Sequence, residues 1–185
     1  MQTTTMAISR SLLLLALLGM ALASCTERRD SERIWLQLEN SNWVAEGEVD
    51  APRTLYVFSD PNCPYCHVFW QRVRPWVELG EVQLRHVLVG LISENSRRKG
   101  AAILSADNPE KAYLKNERHF GAGGIAPMKH IPANIRSKLA ANHELMEQLG
   151  LHGTPTIAYR DAEGQVQFWP GLPPDSVMPE ILGVK

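Results

Sequence analysis

Two cysteines three positions apart, Cys63 and Cys66, enclose Pro64 and Tyr65, and His67 follows at once. Thiols at this spacing can close and reopen an intramolecular disulfide, which makes the pair a candidate for reversible two-electron exchange with other thiols. The same five residues spell CxxCH, the attachment pattern of a c-type haem, so spacing alone leaves both chemistries open. The surrounding residues favour the first. The apolar run Leu55-Tyr56-Val57-Phe58 feeds the motif as a strand would, which a small, mostly helical cytochrome does not need. Proline is favoured at the first position of a helix, where its missing N–H costs nothing, and Pro64 there makes Cys63 the N-cap. An N-cap sulfur faces the N–H groups of Tyr65 and Cys66 and the positive end of the helix dipole, which lowers its pKa below the free value of about 8.5. Cys63 is therefore expected to be the attacking sulfur. Cys66 falls on an apolar stripe with Phe69, Trp70 and Val73, where desolvation disfavours its thiolate, and is expected to be the resolving thiol. Tyr65 is read either as exposed, substrate-facing surface or as a spacer. His67 is read either as a positive charge beside the dithiol or as a solvated helix residue.

The elements that must position this pair follow from periodicity. Ile34, Trp35 and Leu38 lie at helical spacing and predict a turn or two of helix from Ser31, and Trp43-Val44-Ala45 a short strand. Thr54 to Phe58 is a buried strand stopped by Ser59-Asp60-Pro61-Asn62. The helix after it carries Cys66, Phe69, Trp70, Val73 and Val77 on one face, with a kink expected at Pro75 and an end at Gly80. Val82 to Val89 is a second strand. From Gly90 to about Asn134 helices and loops are expected, with Ser96 and Asn108-Pro109 starting helices and Gly121-Ala122-Gly123-Gly124 a break. A helix over 135–149, a hairpin of 156–160 with 165–169, and a helix over 175–182 complete the chain. Strand, helix, strand, helical insertion, hairpin and helix is the order of an α/β, thioredoxin-like fold. The expected domain spans 43–185, with a helical insert at about 91–149.

Composition narrows the partners. Nineteen Lys and Arg against twenty Asp and Glu give a net charge of -1, so there is no basic surplus to recruit nucleic acid. Arg97-Arg98-Lys99, the one basic triplet, is read as a solvated helix face. Arg10 followed by the apolar stretch from Leu12 to Ala23 is a secretory signal, expected over 1–24 and too short to span a bilayer comfortably. Ala21-Leu22-Ala23 suits ordinary cleavage, whereas Leu22-Ala23-Ser24-Cys25 resembles the bacterial lipobox. The second is preferred because lipidation of Cys25 removes the odd thiol from an oxidising compartment. Residues 25–42 are then a lipidated N-terminus and tether, and Thr26 after the cysteine points to the outer membrane. Zinc normally takes four ligands; two cysteines remain, and His119, His130, His143 and His152 are scattered without ligand spacing, so no metal is expected.

These residues resemble the DsbC/DsbG family of periplasmic thiol:disulfide oxidoreductases, the DsbG branch more than the DsbC branch. The likeness runs from about Trp43 to the C-terminus. It is carried by Val57 through His67, including Cys63-Pro64-Tyr65-Cys66, then by Arg74-Pro75-Trp76-Val77, Val87-Leu88-Val89-Gly90, Ala101-Ala102-Ile103-Leu104, Gly153-Thr154-Pro155 and Gly171-Leu172-Pro173. It implies a thioredoxin fold with a helical insert, Cys63 as nucleophile, and a cis bond before Pro155 that leaves Thr154 backbone groups open to an extended substrate. It also implies the Cys63/Cys66 disulfide as the redox group with no other cofactor, cysteine-containing periplasmic proteins as substrates, and a membrane reductase of the DsbD type as electron donor; a thiol oxidase would use the same residues in the opposite direction, and Pro64-Tyr65 alone does not fix which. Family members carry an N-terminal dimerisation domain, whereas about 17 residues separate Cys25 from Trp43 here, so a monomer is expected.

Overall fold

The computed structural model describes residues 27–184; the expected signal segment and Cys25 lie outside the described residues. At the centre of the sheet, β2 (Arg53–Ser59) runs parallel to β3 (Val82–Leu88), and α2 (Pro64–Glu78) makes the crossover that a parallel pair requires. β1 (Trp43–Glu46) adds antiparallel to β3, while β4 (Thr156–Arg160) and β5 (Val166–Pro170) extend the other side as an antiparallel hairpin. The order is β1-β3-β2-β4-β5. α2 ends at the C-cap Leu79, with Gly80 taking the left-handed conformation that terminates helices cheaply, and it continues unbroken through Pro75.

Successive side chains of a strand point to opposite faces, and here both faces are covered. Leu55 and Val57 enter a core with Phe69, Val73 and Val77 of α2, whereas Tyr56 and Phe58 enter a second core with Leu38, Leu145 and Met146. That is why β2 reads as a continuous apolar run. β3 is likewise buried on both faces, Val82, Leu84, His86 and Leu88 on one and Gln83 and Val87 on the other.

The second core depends on a segment expected to be mostly tether. Residues 27–39 form a helix, α1, laid across the sheet. Leu38 is fully buried, Trp35 packs edge-on against Tyr56 at 5.1 Å, Ser31 Oγ accepts from Val166 N–H, and Arg160 clasps Glu32 with two bonds of 2.9 Å. Residues 27–30, expected to be tether ahead of a helix starting at Ser31, are the first turn of this packed helix.

Between β3 and β4 lie α3 (Glu94–Leu104), α4 (Pro109–Arg118), a short 3-10 turn (Phe120–Ala122) and α5 (Ala133–Gln148). Ser93, not Ser96, caps α3, its hydroxyl accepting from Ser96 N–H at 3.1 Å, and Asn108 caps α4 by accepting from Lys111 N–H at 2.8 Å. α5 reaches both cores, sending Ile135 and Leu139 into the first and Leu145 and Met146 into the second. The closing helix α6 (Met178–Leu182) is shorter than expected because Asp175 to Val177 form a turn.

Candidate active site

β2 ends in a turn that presents the cysteines. Cys63 N–H bonds Asp60 carbonyl at 2.9 Å, and the Asp60 side chain takes Asn62 N–H at 2.8 Å through one oxygen. Its other oxygen takes Leu91 N–H at 2.8 Å and Ile92 N–H at 3.0 Å, so a single buried carboxylate fastens the turn to the start of the insert. Asp60 was not singled out in the sequence, although an Asp two residues before a bonded N–H is a known turn signal.

Cys63 is the N-cap of α2, extended in backbone, and its sulfur accepts Cys66 N–H at 3.3 Å. Its thiol hydrogen points to the Thr154 carbonyl at 3.2 Å, across 91 residues of chain. The Thr154–Pro155 bond is cis. Beyond it, β4 pairing begins at Thr156, and among the described residues Thr154 N–H has no backbone partner. Thus Cys63, Cys66, Pro64, Thr154 and Pro155 lie together, with Tyr65 62% exposed beside them.

The two thiols are electrostatically unequal. Cys63 is lowered to about 6: the Cys66 thiol hydrogen aimed at it is the largest cause, burial opposes, and bonds from the Thr154 side chain and from Cys66 and Tyr65 N–H add to the lowering. Burial pushes Cys66 well above the ordinary thiol range, helped by its bond to Cys63 and by repulsion from the Cys63 thiolate. Two of those three causes vanish once Cys63 is bonded to another sulfur. Cys66 therefore becomes easier to deprotonate at the moment it is needed.

His67 is not the solvated helix residue that one reading expected. Its Nδ1 lies 2.9 Å from Glu117 Oε2, and its ring is stacked on Phe120 at 4.5 Å and beside Trp70 at 5.8 Å. The ring is thus packed into the fold between α2 and the insert, and the strand that feeds the motif and the cis-proline loop facing it do not favour the haem reading. Glu117 is itself buried and held by Asn116 Nδ2 at 3.1 Å, whose amide also donates to Pro61 carbonyl at 3.0 Å. Lys99, read as part of a solvated triplet, is instead 6% exposed and donates to Asn62 Oδ1 at 2.6 Å and Gly123 carbonyl at 2.7 Å. Asn116, Glu117 and Lys99 carried no local signal, because each stands in a helix whose sequence looks like an ordinary charged surface. His119, His130, His143 and His152 do not converge, and among the described residues no group of three His, Cys, Asp or Glu could hold a metal ion.

A dithiol at the N-terminus of the helix that follows the central strand, facing a cis-proline loop, defines a thioredoxin-like protein. The Thioredoxin-like domain profile matches residues 45–183, and the chain belongs to that family. More particularly, it is 48% identical over 153 residues to the thiol:disulfide interchange protein DsbG of Pseudomonas aeruginosa, an alignment covering 83% of this chain and 60% of that protein. It is 41% identical over 156 residues to DsbG of Escherichia coli, covering 82% of this chain and 61% of the relative. The chain thus spans about 60% of the length of these curated relatives. Among solved structures, Proteus mirabilis ScsC in a transitional conformation superposes with a TM-score of 0.68 at 22% identity, over 94% of this chain and 88% of that one. Pseudomonas aeruginosa DsbA2 gives 0.59 at 20% identity, over 74% and 91%. At such identities the structural likeness speaks for the fold alone.

Proposed function

We propose that this protein is a periplasmic thiol:disulfide oxidoreductase of the DsbG kind that reduces disulfides or cysteine sulfenic acids in other proteins. The observation that carries the reading is the polarised pair: Cys63 lowered to about 6 at a helix N-cap, Cys66 pushed up behind it. The Cys63 thiolate attacks one sulfur of a substrate disulfide, forming a mixed disulfide and expelling the other sulfur as thiolate. Cys66 then gives up its proton and attacks the Cys63 sulfur, releasing the second substrate thiolate and leaving Cys63–Cys66 oxidised. With a sulfenic acid the first leaving group is hydroxide, and the second step releases the substrate thiolate. In either case the substrate gains two electrons, and a membrane reductase of the DsbD type returns them to the pair. The open Thr154 N–H holds an extended substrate segment beside Cys63, joined by the Thr154 carbonyl once Cys63 has lost the hydrogen it directs there, with Pro155 fixing the loop and Pro64 and Tyr65 forming the lip.

Lipidation at Cys25 would hold the domain at the outer membrane, and the chain would act as a monomer. What supports the monomer is that α1 closes the second face of the sheet from within the same chain. Sedimentation of the chain at one protomer mass checks this; a stable dimer overturns it.

The central test is the redox state of Cys63 and Cys66 in cells, read by thiol alkylation with and without the inner-membrane reductase. A pair mostly reduced in its presence and oxidised in its absence supports reduction; a pair mostly oxidised in both overturns it. In vitro, Cys63→Ser abolishes reduction of a model protein disulfide, while Cys66→Ala accumulates the mixed disulfide on Cys63. A Cys63→Ser protein as active as wild type would leave the disulfide a merely structural one.

A further inference from the structure

Behind the active-site turn, α3 and the Arg136–Glu144 stretch of α5 flank an open cleft of about 750 Å³, its rim carrying Arg97, Arg98, Lys129 and Arg136 against Glu94 and Glu144. Four fixed cations face two carboxylates, a surplus of two on a chain whose net charge is -1. Glu94 is already engaged by Arg97 at 2.8 Å and Arg98 at 3.2 Å. Arg136 donates only to the Ile131 carbonyl at 3.3 Å, and among the described residues neither it nor Lys129 meets a carboxylate.

The cleft is joined to the redox centre by direct hydrogen bonds. Asn62, the residue before Cys63, donates to Asn95 Oδ1 at 3.1 Å and Ser96 Oγ at 2.9 Å, in the first turn of α3. The Asp60 carboxylate takes Leu91 and Ile92 N–H where the β3–α3 loop enters the cleft. Gly90 permits the close approach, since a Cβ there would sit 2.6 Å from Arg97 Cα. Leu91 and Ile92 are 37% and 54% exposed and place apolar surface at the end of the cleft that the Asp60 carboxylate holds.

We propose that this cleft docks an acidic stretch of the substrate polypeptide, so that cysteines flanked by Asp and Glu are delivered to Cys63 in preference to others. The inference rests on the reduction of protein substrates proposed above. The cationic heads are solvent-exposed, so the cleft acts through steering and discrimination and not as a tight anion site. An extended acidic segment, not a small anion, matches its open form and its adjacent apolar residues.

Two reporter peptides of equal length test this, each with one disulfide, one flanked by four Asp and the other by four Lys. Rates are taken below saturation and divided by the same protein's rate with a small uncharged disulfide. At about 20 mM salt the acidic peptide reacts on the order of tenfold faster, and the ratio falls toward one near 0.5 M salt. In K129E/R136E the preference disappears or inverts, and in K129Q/R136Q it is intermediate. A wild-type ratio near one at low salt overturns the proposal, as does a tenfold ratio that survives in both variants. Fluorescence anisotropy of the same peptides with Cys63→Ser protein reads docking without chemistry. A protein inactive toward every disulfide that still binds the acidic peptide about tenfold better overturns the redox reading and keeps the docking surface.

Discussion

At the residue scale the site is an asymmetry imposed on two identical side chains. Cys63 and Cys66 expose the same 3% of their surface, but Cys66 lies deeper among apolar side chains, and burial is the largest cause of its raised pKa. Hydrogen-bond direction adds to the difference: donors converge on Cys63, while Cys66 spends its own hydrogen on Cys63. At pH 7 the first sulfur is mostly thiolate and the second a thiol. The alkylation rate of the reduced protein as a function of pH should therefore show a midpoint at about 6. Replacing Cys66 with Ala removes the largest cause of the lowering, and a lost hydrogen bond to a charged acceptor moves the midpoint upward by on the order of one pH unit. An unchanged midpoint in Cys66→Ala would place the stabilisation in the helix N-terminus instead. This pair was legible from sequence because N-cap geometry is local: Pro64, Cys63 and the following N–H groups lie within one turn. His67 was not legible, since its partner Glu117 stands fifty residues away.

At the scale of elements, α2 is held between two buried carboxylates that behave oppositely. On one side Glu46 of β1 receives both Trp70 Nε1 and His86 Nε2, at 3.0 and 2.9 Å, and pairs with Arg74. Burial alone would raise Glu46, but the bond and charge of His86, the charge of Arg74 and the Trp70 bond outweigh it, and its pKa is lowered. Its stabilisation is present above its ordinary value near 4.5 and is lost as pH falls through the lowered one. Glu46→Ala, which strands three partners, should cost about 3 to 5 kcal/mol in urea unfolding at pH 7.

On the other side Glu117 of α4 is raised, burial outweighing the bonds from His67 and Asn116. The folded protein then holds this proton more tightly than the unfolded chain does. Its contribution is most favourable below about 4.5 and declines as pH rises toward the raised value. Glu117→Gln should remove that decline, so the variant gains stability relative to wild type as pH rises from 4.5; urea midpoints across a pH series decide. Asn116, fully buried, ties Pro61 carbonyl, Glu117 and Ile125 N–H together, and Asn116→Ala should cost about 3 kcal/mol through groups left unpaired. The insert is therefore a clamp on the active-site turn as well as a cover for the sheet. Its helices were legible from cap signals, correctly at Asn108 and three residues late at Ser96, where Ser93 is the cap. Its grip on Pro61, Asn62 and His67 was not, because each bond joins residues distant in sequence.

At the scale of the whole molecule, α1 is the unexpected part. A tether can be altered without consequence, whereas a helix that completes a core cannot. Leu38→Ala should therefore cost about 3 kcal/mol, as a fully buried leucine does, and lower the denaturant midpoint accordingly. A neutral Leu38→Ala would return the segment to the status of a linker. The same packing fixes where the N-terminal end of α1 lies, since Arg160 and Val166 of the β4–β5 hairpin hold Glu32 and Ser31.

By itself the sequence determined the strand-to-helix junction, the N-cap cysteine, the apolar stripe that buries Cys66 and the order of the elements. Those features depend on neighbours within a few residues or on simple periodicity, so local physics suffices. Only the tertiary structure decided that α1 closes a second core, that Lys99 and His67 serve the active-site turn from inside, and that Arg97, Lys129 and Arg136 meet at one cleft. Each of these joins residues whose local sequence looks like plain surface, and burial and charge acquire meaning there only after the chain has brought them together.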